Sequence, residues 1–136
     1  MVYDKAKWHS GGDFPEGLPH ENGGTHIGMF LAWAINHGMV SPDLMSEAAL
    51  DLEAVLQRRL TGRTILFNYL DGVLSDEDLS EEGNAFAEHY YEAYQAEYDA
   101  LIRTELATPY HASDDWATYD AVAAMIDEAY STFKQG

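Results

Sequence analysis

His9, Asp13, His20, Glu21 and His26, near the start of the chain, are of the types that hold metals or move protons. Imidazoles and carboxylates converging on one point can bind a divalent cation. Their spacing matches no known arrangement: there is no HExxH and no histidine pair four residues apart on a helix. A second pair, His26 and His37, brackets a run that is apolar from Ile27 to Ile35. At about 1.5 Å per helical residue they stand roughly 16 Å apart, too far to share a metal whose bonds are about 2 Å. His26 is therefore expected at a helix entrance, bonded to the N-terminal arm. No metal or cofactor is expected, and a small enzyme or metal-binding protein using His9, Asp13, His20 and His26 is the alternative.

Other chemistries are excluded more firmly. The chain has no cysteine, so disulfide frameworks, zinc ribbons and thiol nucleophiles are absent. It has no G-x-S-x-G elbow, no phosphate-binding GxxxxGK[ST] and no GxGxxG. The acidic stretch DGVLSDEDLSEE places Val73 and Leu74 where a calcium loop needs oxygen ligands.

Charge is the other chemical resource. Seven Lys and Arg face 24 Asp and Glu, a net charge of −17. No basic residue falls between Arg63 and Arg103, nor between Arg103 and Lys134. Such a surface repels nucleic acid and anionic lipid and attracts a basic protein. The densest acidic groups are Asp76, Glu77, Asp78, Glu81 and Glu82, with Asp114 and Asp115. These are the candidate partner-binding residues.

The elements that must position these groups follow from periodicity and punctuation. A chain of 136 residues with 46% hydrophobic content suits one domain with its own core. Residues 1–24 are rich in Gly and Pro and read as turns, yet Tyr3, Trp8 and Phe14 argue for an ordered arm packed on the body. A helix is expected from Thr25 to His37, with His26, Phe30, Trp33 and His37 on one face. From Ser41 to Gly62 the pattern is one helix, with Ser41 as cap, Pro42 in the first turn and a Leu44, Ala48, Leu52, Val55 stripe. Residues 63–72 fit a short helix or a strand, helical spacing being the better match. A long helix from Asn84 to Leu106 carries Tyr90, Tyr91, Tyr94 and Tyr98 on one side, which reads as core packing. A last helix is capped by Ser113. No strand pair is evident. The expectation is an all-α single domain over residues 1–136, with four to five helices.

The blocks YDKAKWH, GDFPEGLP, THIGMFLAWAI, LSEEGNAFAEHYY and ATPYHASDDWATYDAVAAMID together resemble an uncharacterised family of small acidic bacterial proteins, over nearly the whole chain. The resemblance carries no catalytic residues. By type, small acidic single-domain proteins of this kind are similar to immunity proteins, which neutralise a toxin encoded beside them. The leading expectation is therefore a non-enzymatic, cytoplasmic protein whose acidic face occludes the active site of a basic toxin. Neither a nucleic-acid nor a membrane partner is expected. A further alternative is a regulator whose acidity imitates nucleic acid.

Overall fold

The computed structural model describes residues 1–11, 14–104 and 106–136. Among these, seven α-helices, three short 3-10 turns and two strands surround one apolar core. Two elements open the chain, β1 (Val2–Lys5) and α1 (Ala6–Ser10). A 3-10 turn (His20–Gly24) then leads into α2 (Thr25–Asn36). Next come α3 (Pro42–Glu47), α4 (Ala49–Leu56) and α5 (Gly62–Tyr69), followed by β2 (Val73–Ser75). A turn at Asp76–Asp78 precedes α6 (Glu81–Arg103), and a turn at Pro109–His111 precedes α7 (Trp116–Gln135).

The central element is α2. Every residue from Thr25 to Ile35 is buried, and Phe30 and Trp33 are each about 1% exposed, as the unbroken apolar run requires. It crosses α5 at unusually short range because both helices present glycine there. A Cβ on Gly28 would run into the backbone of Arg63, and one on Gly62 into the Gly28 carbonyl. The tyrosine stripe of α6 closes the core from the other side: Tyr90, Tyr91, Tyr94 and Tyr98 are all at most 5% exposed. The Tyr94 hydroxyl donates to the His26 carbonyl at 2.6 Å, tying α6 to the first turn of α2.

Several expectations need correction. The domain is mostly helical, but β1 and β2 pair antiparallel, with Asp4 opposite Leu74 and an irregularity between Val2 and Asp4. Strands of four and three residues are too short for alternation to reveal them. The expected helix from Ser41 to Gly62 is two. Ser41 does cap α3, accepting from the Leu44 N–H, but the backbone turns at Ala48 (φ −115°, ψ 23°). That turn keeps Leu44, Ala48, Leu52 and Val55 all buried. Gly62 begins α5 instead of ending α4. Gly24, not Thr25, precedes α2, and the Thr25 hydroxyl accepts from Arg63. α6 starts three residues before Asn84, capped by Ser80, and α7 is capped by Asp115 instead of Ser113. The arm is ordered over its described residues, but Trp8 points outward, 57% exposed, beneath the Lys5 ammonium.

Candidate functional site

Asp4 gathers the histidines. Along β1 Tyr3 and Lys5 are half-buried, whereas Asp4 points inward, where it is 1% exposed. Four donors surround its carboxylate. Oδ1 accepts from the Lys5 N–H at 2.9 Å and from His9 Nε2 at 2.7 Å. Oδ2 accepts from His26 Nε2 and from the Tyr91 hydroxyl, each at 2.8 Å. These groups come from four elements: β1, α1, the first turn of α2, and α6. A fifth contributes Tyr110, whose hydroxyl lies 3.0 Å from His9 Nδ1. The two imidazoles meet edge to face, with centroids 4.3 Å apart.

Protonation follows from this geometry. Burial pushes the Asp4 carboxyl up, but hydrogen bonds from His26 and His9 outweigh it and hold it well below the usual carboxylate range. For His26 burial dominates and pulls the imidazole below its ordinary 6.5, against the opposing bond to Asp4. Burial likewise raises the Tyr91 hydroxyl far above 10, so it keeps its proton and donates to Asp4. An ionised carboxylate only accepts, so neutral His26 carries its proton on Nε2. Its Nδ1 is then a bare lone pair, and it has no hydrogen-bond partner among the described residues.

His9 and His26 line an open cleft of about 270 Å³, with Gln95, Tyr98, Asp99, Arg103, Pro109 and Tyr110 as its other walls. Tyr98 lies against His26, ring centroids 5.7 Å apart. Its hydroxyl is buried with no hydrogen-bond partner among the described residues. Burial raises this hydroxyl's pKa, so it stays protonated as a donor. Arg103 on the rim is held by Asp99 at 2.6 Å.

Of the sequence-based candidates, His9 and His26 converge. His20 does not: it is exposed on the turn before α2 and lines a different cleft with Lys5, Lys7 and Phe67. Asp13 lies outside the described residues. His37, at the far end of α2, stacks on Trp33 and bonds the Trp33 carbonyl through Nδ1. Asp4, Tyr91 and Tyr110 were not anticipated. Asp4 and His9 are five positions apart, but the chain changes from strand to helix between them, so neither period aligns the two.

The acidic candidates do not form one cluster. Glu82 contacts Lys134 and Tyr130 near the end of α7, whereas Asp115 caps its start. The 19 positions between Asp115 and Lys134 amount to about 28 Å of helix. Asp76 meets the Met1 amino group at 2.9 Å, and Asp78 accepts from the Ser75 N–H in a capping box. Asp114 accepts from the Thr61 hydroxyl at 2.6 Å and lies 3.2 Å from Arg63 Nε, its side chain only 11% exposed. Glu77 and Glu81 are exposed and have no cationic partner among the described residues.

No helix among the described residues is long and apolar enough to cross a membrane. No curated protein and no solved structure matches the chain. The model of a domain of unknown function, DUF7832, matches residues 2–112, a span that includes Asp4, both of its histidines and the whole cleft, and the chain belongs to that family.

Proposed function

We propose that this domain binds a small polar ligand in the cleft beside Asp4, His9 and His26. One observation carries the reading: a buried carboxylate, Asp4, holds His26 at 2.8 Å in the wall of an open cleft and fixes its tautomer. The bare Nδ1 suits a ligand hydroxyl or amine donor. Tyr98, whose ring lies against His26, walls the same cleft and gives a ligand an apolar face. A cleft of about 270 Å³ limits the ligand to a compact molecule. The test is a thermal-shift screen of polyols, amines, amino acids and nucleosides on the wild-type chain and on Gln95→Ala. Gln95 lines the cleft half-buried and makes no hydrogen bond among the described residues, so the variant's unliganded melting temperature should stay level while ligand-induced shifts shrink. A screen without hits, or hits that stabilise both proteins equally, would refute the reading.

A second reading is a protein-binding role of the immunity type, in which an acidic surface covers the basic active site of a toxin. It is supported by the net charge of −17 and by exposed Glu77 and Glu81, which have no cationic partner among the described residues. Opposite charge would speed encounter more than it would tighten the complex.

A further inference from the structure

We propose that Asp4, His9 and His26 form a binding site for a first-row divalent transition-metal ion, represented here by Zn²⁺. The inference rests on the cleft reading, because both imidazoles that would hold the metal line that cleft. One donor atom from each residue lies within 4.8 Å of the other two. With metal bonds of about 2.0–2.2 Å, donors around a tetrahedral ion stand about 3.3 Å apart. The present contacts are to the two different oxygens of Asp4, His9 at 2.7 Å from Oδ1 and His26 at 2.8 Å from Oδ2, so each would open by about half an ångström and the carboxylate would turn to admit the ion.

Donor type selects the metal. Two imidazoles and one carboxylate favour Zn²⁺, Co²⁺, Ni²⁺, Cu²⁺ or Fe²⁺ over Mg²⁺ and Ca²⁺, which prefer all-oxygen shells. Three protein ligands leave a coordination position open, as in sites that engage a ligand and unlike closed structural zinc sites. His9 and His26 both line the cleft while Asp4 does not, so a ligand in the cleft would reach that position past the two imidazoles. The ligand class then narrows to molecules offering a hydroxyl, carboxylate or carbonyl oxygen.

The proton count does not change. The metal takes the Nε2 lone pair of each imidazole, so each ring gives up its Nε2 proton and takes one from solvent at Nδ1, and His26 Nδ1 then donates to a cleft ligand instead of accepting. At His9 the bond to Tyr110 then runs the other way, with Nδ1–H donating to the hydroxyl oxygen across the same 3.0 Å. Such an outer partner orients a ligating histidine. The Lys5 N–H and Tyr91 hydroxyl can keep their bonds to Asp4 while it ligates.

The experiment uses the full chain, stripped with a chelator and titrated with Co²⁺ and separately with Zn²⁺. Expected are visible d–d bands of low-coordinate Co²⁺ that saturate at one ion per chain, and a saturable rise in melting temperature with Zn²⁺. His9→Ala and His26→Ala should abolish both, His20→Ala should abolish neither, and Tyr110→Phe should weaken binding by about tenfold. Should His26→Ala fail to fold, the wild-type spectrum and His9→Ala still decide. Absence of both signals in the wild type overturns the proposal. So does binding unchanged in His9→Ala, which would place the ion on other groups. Gln95→Ala removes none of the three donors and should bind Co²⁺ normally. Loss of its ligand shifts without any metal signal would remove the metal and leave the cleft reading standing. Normal metal binding without any ligand shift would do the reverse.

Discussion

Asp4 Oδ2 and His26 Nε2 stand 2.8 Å apart, both residues buried, joining the first strand of the chain to the first turn of its central helix. The same carboxylate also holds His9 and Tyr91. A buried charge is tolerated only when hydrogen bonds replace its lost hydration, and here four donors do so. The cluster therefore fastens the N-terminal segment to the body and shapes the cleft. Asp4→Asn replaces one acceptor oxygen with an NH₂ donor, leaving buried donors unpaired, and should cost at least about 1–3 kcal/mol, which chemical denaturation would measure.

The same pair predicts how stability depends on pH. His26 titrates below 6.5 when folded, so the unfolded chain takes up that proton first. Its contribution is complete above about pH 6.5 and falls as the pH drops. Asp4, whose folded pKa lies below its ordinary 3.8, adds a second loss in the same direction below about pH 4. His9, Tyr91, Tyr110 and the Lys5 N–H face the pair and shape both transitions. Urea midpoints should hold from about pH 8 to pH 7, decline between about pH 6.5 and pH 5, and decline further below pH 4. A flat profile from pH 8 to pH 5 would mean that His26 is hydrated.

Trp33 tests the centrality of α2. Its ring packs on Phe30, Phe86 and Tyr130, and its indole N–H donates to Asp127 at 2.8 Å. Trp33→Ala should cost about 3–5 kcal/mol through lost burial and the cavity left behind. A near-normal melting temperature would show that α2 is peripheral to stability.

The acidic residues should separate into two classes. Asp114 is tied to Thr61 and Arg63, so Asp114→Lys should lower the melting temperature sharply by leaving Arg63 facing a like charge. Glu77→Lys with Glu81→Lys should leave folding nearly unchanged, since both side chains are exposed. If these two steer a basic partner, the double reversal should slow association, and the slowing should shrink as salt rises. Association rates with a partner captured from the native host would decide. A rate indifferent to both salt and reversal would leave the acidity without a binding role.

Local signals made much of the fold legible from sequence. The unbroken apolar run announced α2, Ser41 and Pro42 announced α3, and the tyrosine spacing announced the buried side of α6. Each depends on backbone period or on a cap a few residues away, which sequence carries directly. His26 could be read as a helix-entry residue bonded to the arm for the same reason. Its partner could not, because an aspartate in a four-residue strand looks like a surface charge. What buries Asp4 is the arrival of His9, His26 and Tyr91 from three other elements, which no local period encodes. Tertiary packing also turned Trp8 outward, bent the chain at Ala48 and drew Asp114 onto Arg63. Helix position is a local property of the chain, whereas the burial of a charge depends on what distant segments bring to it.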